Sequence, residues 1–450
     1  MIDSLVVSQA VSEDGQGKSR ARKKIAIIGS GISGLSCAYL LADTHHVDVF
    51  EASPTLGGHT ATKTFMAGGE LYNVDTGFIV FNDRTYPHFL KLLAVLGVQY
   101  QKTQMGFSVT NERTGYEYAG TSLRGLFAQR RNWLNPQHWN LLREILRFNK
   151  RCIQLHDENA VPDITLGEFL ATQKFGAFFS THYILPMVSA IWSSGLTVAA
   201  QMPLLFFIRF FYHHGLLTVT RQPQWYTITG GSKQYLGPLT KKFADNIHLN
   251  CPVIFIRRVP KGVLVYSKQF GEQLFDEVVL ACHSDQALHL LIDATPAEHD
   301  VLSAIPYRPN RVQLHTDTHL LPRNERAWAS WNYRVPSIKQ HTSTGDAAVL
   351  TYNMNILQNL EAAPVTYCVS VNAEELVKPE RIYGNYEYAH PVFTRESVAA
   401  QRRWAEISGH NRTHFCGAYW RNGFHEDGLV SGIRVAKALG ADCSALESGL

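Results

Sequence analysis

Cysteine is scarce and scattered. Seven residues, Cys37, Cys152, Cys251, Cys282, Cys368, Cys416 and Cys443, are spread over 450 positions, odd in number and with no CxxC pair. That excludes a small disulfide-pinned scaffold and points to reduced core thiols in a cytoplasmic compartment. An excess of one charge is lacking too. The 42 Lys and Arg stand against 38 Asp and Glu, a net charge of +4, which gives no general attraction to nucleic acid and leaves any polyanion contact to a local patch. There is no HExxH motif and no compact cysteine cluster, so none of the 20 histidines is read as a metal ligand. The N-terminal stretch carries its positive charge after its apolar residues, the reverse of a secretory signal. Residues 1–23 read as a mobile polar lead-in, with the basic run Lys18 to Lys24 solvated or, alternatively, touching a membrane or nucleic acid.

What the chain has is the material of a large core: 45% of its residues are hydrophobic and 18% charged, over a length that suits two to four domains. Order begins at Lys24. Ile25 to Ile28 suits a buried parallel strand, apolar residues return at helical spacing from Ile32 to Leu41, and His46 to Phe50 reads as a second strand. Together these make a βαβ unit. A helix is expected over Pro87 to Leu96, stopped by Gly97, and Thr165 with Glu168 fits a capping box. Trp139 to Leu155 is basic and amphipathic. From Phe175 to Ile208 there are 34 consecutive residues without Asp, Glu, Lys or Arg. That length admits a membrane span or a membrane-dipping entrance, but Pro186, Gly195 and Pro203 favour two or three buried helical segments.

The α/β texture returns after Thr218. A helix is expected over Tyr235 to Phe243, paired strands at Val253 to Ile256 and Val263 to Tyr266, a buried strand over Glu277 to Cys282 with a helix after it at Ser284 to Leu291, and a helix opened by Thr295, Pro296 and Glu298. The last periodic run is Gly428 to Leu439. The expected division is a lead-in at 1–23, nucleotide-binding parts at 24–100, 218–300 and 411–450, a largely helical substrate or cap region at 101–217, and a substrate-domain sheet at 301–410.

The sharpest signal is Gly29-Ser-Gly31-Ile-Ser-Gly34, directly after a strand and opening a helix. The first glycine allows the tight turn, the second lets backbone approach a pyrophosphate, the third permits close helix–sheet contact, and the helix start offers free N–H groups. Glu51 lies 22 positions after Gly29, at the end of the second strand, where a carboxylate accepts from both ribose hydroxyls and disfavours a 2′-phosphate. These residues leave FAD and NAD open.

The stretch Glu51-Ala52-Ser-Pro-Thr-Leu-Gly57-Gly58-His59-Thr60 resembles the second fingerprint of the flavin-containing amine oxidoreductase superfamily, which includes amine oxidases, protoporphyrinogen oxidases and carotenoid desaturases. Val74-Asp-Thr-Gly-Phe-Ile-Val80 with Asn82-Asp-Arg-Thr-Tyr-Pro87 resembles, more narrowly, a bacterial flavoprotein group similar to the N-terminal flavin domain of plant cyclopropane fatty-acid synthases. Phe415-Cys-Gly417 through Gly423-Phe-His-Glu-Asp427-Gly428-Leu429 to Gly432 looks like the family's flavin-closing motif. The resemblance runs from about Lys24 to Leu439. It implies a Rossmann-like FAD-binding domain interleaved with a substrate domain of mixed sheet and helices. FAD contacts then fall on Gly29, Gly31, Ile32, Ser33, Gly34, Glu51, Ala52, Gly57, Gly58, His59 and Thr60. Val253 resembles the residue whose backbone pairs with adenine, Ala281 falls at the strand end beside the cofactor, and Gly417, Asp427, Gly428 and Leu429 at the closing helix, with Asp427 accepting a ribityl hydroxyl. His425 and Glu426 either shape the flavin edge or cap that helix.

The implied chemistry is two-electron oxidation, with hydride passing to flavin N5. Two departures weigh against an amine substrate: His59 stands where family members commonly have arginine, and Phe424 where amine oxidases present a tyrosine. The uncharged central region and the likeness to cyclopropane fatty-acid synthase domains point instead to oxidation or desaturation of a fatty-acyl or other lipid substrate. In that reading Trp192, Phe210 and Phe424 are substrate-side surfaces, Ile184 to Ile208 with Phe206, Phe207, Phe210, Phe211 and Tyr212 line a passage or, alternatively, close an ordinary hydrophobic core, and Arg209 pairs with a carboxylate or headgroup or is merely a surface residue. Amine oxidation remains an alternative, as does a flavin-stabilised lipid-binding module that partners a lipid methyltransferase. Nucleic acid is not an expected partner; peripheral membrane contact is.

Overall fold

The computed structural model describes residues 22–218, 222–335 and 349–448, so the expected lead-in lies almost wholly outside the described residues. Five strands, β1 (Lys24–Ile28), β2 (His46–Phe50), β3 (Ile247–His248), β4 (Glu277–Leu280) and β5 (Thr413–Phe415), form one parallel sheet in the order β3-β2-β1-β4-β5. Ile25, Ala26 and Ile27 in β1 and Val278, Val279 and Leu280 in β4 are fully buried. Such uninterrupted apolar strands belong to a sheet covered on both faces. Helix α1 (Ile32–Leu41) follows β1 and lies against the last long helix, α7 (His425–Ala438), so closely that a Cβ on Gly432 would meet Ser33 O at 2.4 Å. Helix α2 (Pro87–Leu96) opens on proline and closes on Gly97 at φ +68°.

A seven-stranded mixed sheet makes the second layer, with its longest pairing between Tyr307–His315 and Ile382–Pro391. In this antiparallel register Arg308 faces His390 and Asn310 faces Tyr388, which puts all four side chains on one face of the sheet.

The helical layer contains α3 (Pro136–Asp157), α4 (Leu185–Trp192), α5 (Leu196–Gln201) and α6 (Leu204–His213). Asn135 caps α3 by accepting from Gln137 N, and Thr165 and Glu168 form the expected capping box, as do Thr295 and Glu298. Phe148, Phe179 and Phe207 are fully buried at the layer's centre, each contributing roughly 2 kcal/mol by leaving water. The uncharged run is divided among short segments, and among the described residues no helix is long and apolar enough to cross a membrane.

Two expected helices differ. Tyr235–Phe243 is broken into Ser232–Tyr235, Leu236–Thr240 and Lys241–Asn246, because Pro238 offers no N–H and Phe243 leaves helical geometry at φ −138°. Helix α7 starts at His425, three residues before Gly428, so Gly428 is not its opening residue. Its missing side chain serves packing: a Cβ there would meet Ile32 Cγ2 at 2.8 Å.

Candidate cofactor and substrate site

The three glycines after β1 have different surroundings. A Cβ on Gly29, whose φ is +109°, would lie 2.9 Å from Ala281 O, and one on Gly34 would lie 2.1 Å from Gly29 O. Both are closed by protein. Beside Gly31 no atom lies within 4 Å of where a Cβ would be. Gly31 is also the residue before α1, with no side-chain cap and no acidic residue in the first turn, leaving the N–H groups at Ile32 and Ser33 and the positive end of the helix dipole facing that space. Gly58 crosses above, where its Cβ would come within 3.3 Å of Gly31 Cα.

Glu51 clamps this loop. One carboxylate oxygen accepts from Ser30 N at 2.9 Å and Ser30 Oγ at 2.5 Å, and the other from Ser53 N at 2.8 Å. Gly57 N donates to Ser30 O at 3.1 Å, which draws the paired glycines over the same turn. Ala52 is exposed beside it. Cys251 N donates to Glu51 O at 2.8 Å and Asn250 N to Ser53 O at 3.0 Å, so the chain enters the strand that starts at Val253 from next to Glu51. Ala281 ends β4 with its N–H on Ile28 O at 2.9 Å.

At the other end, Gly417 N donates to Ser431 Oγ at 3.0 Å and Leu429 is fully buried. Asp427 Oδ2 accepts from Phe424 N at 3.0 Å, so this carboxylate caps its own helix, and burial raises it to about 6. Glu426 caps a helix, but a different one from its own. It accepts from His88 N at 3.0 Å and Phe89 N at 2.9 Å in the first turn of α2 and contacts His88 Nδ1 at 2.7 Å. His425 stacks on Phe78 at 3.8 Å and shares a 2.9 Å hydrogen bond with Tyr235 Oη, which meets Thr60 Oγ1 at 2.5 Å. Burial, with His59 nearby, lowers His425 to about 3.

His59 lies among rings, 5.3 Å from Tyr388, 5.4 Å from His390 and 6.2 Å from His283. Burial first, then His390 and His283, push it down to about 3, and burial lowers His390 to about 4. Both are neutral near pH 7, so the position at which the resemblance leads one to expect arginine holds no cation here. His59 Nε2 is buried without a partner.

On the far side, Trp192, Phe210 and Phe424 come together: Trp192 to Phe210 is 4.6 Å, Phe210 to Phe424 5.0 Å and Trp192 to Phe424 6.4 Å, with Trp192 Nε1 donating to Asn422 O at 3.1 Å. Of the three only Trp192 lines the adjacent cavity, whose walls also include Val198, Met202 and Phe393 and whose polar end holds Ser194, Arg308, Asn310 and His390. The cavity has about 30 Å³ of internal space. Of the residues expected along a passage, Trp192, Val198 and Met202 line this cavity, whereas Phe207 and Phe211 do not. These rings are packed 4.1 Å apart inside the helical core because α6 turns them inward. Arg209 faces solvent and is not part of the cavity wall.

Sequence reasoning missed Arg308, Asn310, Tyr388 and His390. The alternation in Tyr386-Glu-Tyr388-Ala-His390 was the available signal, a strand pattern with aromatic residues on one side. Arg308 gave none, because its strand partner is set by pairing across more than eighty residues. Asp75, in the Val74-Asp-Thr-Gly motif, also has a definable task. It accepts from Ser232 N at 2.9 Å, Ser232 Oγ at 2.8 Å and Thr62 Oγ1 at 2.5 Å, tying that motif to Gly230-Gly231, and burial still raises it to about 6. Among the described residues no group of three or more His, Cys, Asp or Glu is placed to hold a metal ion.

The pattern of the flavin containing amine oxidoreductases matches residues 32–440. The chain belongs to that family. FAD is accordingly its cofactor, and its class is that of the FAD-dependent oxidoreductases. A flavin-dependent L-tryptophan oxidase of Lentzea aerocolonigenes is 42% identical over 60 residues, a match spanning only 13% of this chain and 13% of that oxidase. Among solved structures, cyclohexylamine oxidase from Brevibacterium oxydans IH-35A superposes with a TM-score of 0.67 at 17% identity, covering 93% of this chain and 98% of that one. A fatty acid isomerase from P. acnes that produces CLA does so with a TM-score of 0.67 at 14% identity, covering 92% and 98%. At such identities the likeness is one of fold.

The residues fit the cofactor. The open space at Gly31 faces uncapped N–H groups, the glycines at 57 and 58 leave backbone alone beside it, and the unpartnered His59 Nε2 lies buried next to the paired glycines. Gly31, Ile32, Ser33 and Gly58 would hold the diphosphate and Glu51 the ribose, while Asp427 has Phe424 N on one oxygen and Arg421 Nε 3.9 Å from the other.

Proposed function

We propose that this protein oxidises or desaturates an extended apolar substrate, a fatty-acyl chain or related lipid. FAD, when bound, supplies the two-electron acceptor. The protein's own part is to bind, orient and keep dry. Trp192, Val198, Met202 and Phe393 offer apolar walls, while Arg308 and Asn310 mark the end at which a polar headgroup or carboxylate is received. The observation that carries the reading is the guanidinium of Arg308: it borders an apolar cavity and has no hydrogen-bond or ion-pair partner among the described residues. An unpaired cation beside apolar walls suits an amphipathic anion and repels a protonated amine. His390 and His59, both held neutral, add no charge and can accept or donate one proton each. The small cavity accommodates a chain only if Trp192 and Phe393 turn aside, so substrate entry is coupled to rearrangement of the aromatic cluster.

Anaerobic titration of the FAD-loaded protein tests this. Fatty acids or phospholipids are expected to bleach the oxidised flavin band, and Arg308→Met to raise the concentration needed while leaving the FAD spectrum unchanged. Bleaching by primary amines or polyamines, with none by lipids, would replace this reading with amine oxidation, which is favoured by the family and by its cyclohexylamine oxidase neighbour. Lipid binding without any redox change would support the third reading, a flavin-stabilised module serving a lipid methyltransferase.

A further inference from the structure

The largest exposed apolar side chains of the helical layer are concentrated at one corner. Leu134 is 89% exposed, Leu123 76%, Trp133 56% and Trp139 47%. Trp133 and Trp139 form a ledge with Phe127, and Leu134 follows Trp133 in the chain. Phe127 stacks on Trp133 at 3.9 Å and lies 5.4 Å from Trp139, whose Nε1 donates to Trp133 O at 2.9 Å. Leu123 precedes Phe127 by one helical turn, with Phe127 N donating to Leu123 O at 3.1 Å. The rings are thus held to one another and to the backbone, while their outer surfaces meet water.

Charge within the ledge's own chain segment has one sign. Between Glu117 and Glu144 the chain has no acidic residue and four arginines, Arg124, Arg130, Arg131 and Arg143, all exposed. The two flanking glutamates face inward: Glu117 is 2% exposed and accepts from Arg323 N and Asn324 N, and Glu144 is 7% exposed and accepts from Gly176 N. The neighbouring segment adds Arg323 and Arg326 against Glu325, sharing a surface groove with Arg131.

We propose that this ledge docks the protein on the surface of an anionic phospholipid bilayer. Tryptophan and leucine side chains held outward suit the boundary between headgroups and acyl chains, and arginines around them suit lipid phosphates. A protein partner of ordinary composition would not call for a purely basic segment around so exposed a leucine. The inner face of α3, through Phe148, packs on Phe207 of α6, and both belong to the same buried cluster as Trp192. The docking surface and the cavity wall therefore belong to one packed unit. The inference agrees with a lipid substrate but stands on the surface alone, and its test needs no turnover.

The FAD-loaded full chain is sedimented with vesicles of phosphatidylcholine, with and without phosphatidylglycerol. Binding is expected only to the anionic vesicles and to weaken as salt rises. The double variant Trp133→Ser, Leu134→Ser is expected to lower the partition coefficient by about tenfold or more, and Arg124→Gln with Arg130→Gln to reduce its salt dependence. Both side-chain pairs are exposed, and an unchanged thermal midpoint and flavin spectrum verify the fold. The proposal is overturned if the wild-type protein stays in solution with anionic vesicles, if the Ser variant binds as tightly as the wild type, or if the patch instead drives self-association without vesicle binding. Lipid oxidation in detergent reads the substrate proposal separately.

Discussion

The glycine turn after β1 and the aromatic cluster around Trp192 show two ways of making a site. Around Gly29, Gly34 and Gly432 the backbone is so close that any side chain would strike main-chain atoms, whereas at Gly31 the same loop leaves a gap. Geometry there is fixed by what cannot be added. Around Trp192 the walls are side chains in contact with other side chains, and the space between them is small. A turn built on missing side chains has one arrangement; a cluster of aromatic rings has several of similar energy. The first suits an invariant cofactor, the second a substrate that must be admitted and released.

The largest effect expected from this contrast is at Gly34. Gly34→Val would force the first turn of α1 off Gly29 and should cost about 3 kcal/mol or more, seen as a lowered denaturation midpoint and loss of FAD together. Next, Trp192→Ala should cost about 3 kcal/mol of stability by opening a void yet leave FAD binding intact, with substrate affinity changed. If FAD is lost as well, the two regions are not separable. Gly31→Ala sharpens the comparison from the other side. Its φ of −68° accepts alanine and no protein atom is near, so the thermal midpoint of the FAD-free protein should hold while FAD affinity falls about tenfold, or about 1.4 kcal/mol.

A smaller effect concerns pH. His425 is lowered to about 3 in the folded protein, against an ordinary value of 6.5. Between these values the unfolded chain binds the proton and the folded one does not, so stability declines as pH falls from about 6.5 toward 3. In His425→Gln the slope of unfolding free energy against pH between pH 6 and 5 should lessen by about 1 kcal/mol per unit, measured by urea titration. An unchanged slope would show that His425 is protonated when folded.

The cofactor half was legible because its signals are local. Ile32–Leu41 and His46–Phe50 follow from spacing within ten residues, and Pro87 and Gly97 bound their helix by their own backbone chemistry. The start of α7 was misplaced because Phe424-His-Glu has no apolar period. Its helical state depends on Asp427 reaching back to Phe424 N and on Glu426 reaching across to α2. Arg308, Asn310 and His390 were illegible for a stronger reason. Their meeting is set by the register of two strands far apart in the chain, which no local spacing encodes. Phe207 and Phe211 could not be told apart from the cavity-lining Trp192 and Met202 because an apolar run reports that residues avoid water, not whether they meet a ligand or one another.

The strand order β3-β2-β1-β4-β5 also bears on how the chain matures. Neighbours in that sheet are drawn from residues 24–50, 247–248, 277–280 and 413–415, so a ribosome that has reached residue 410 has delivered four strands and left β4 with a raw edge. Helix α7, which covers α1, is later still. Synthesis must therefore hold apolar strands unsealed almost to the end, a state exposed to aggregation, and flavin supply should raise the soluble yield by capturing chains at the moment the sheet closes.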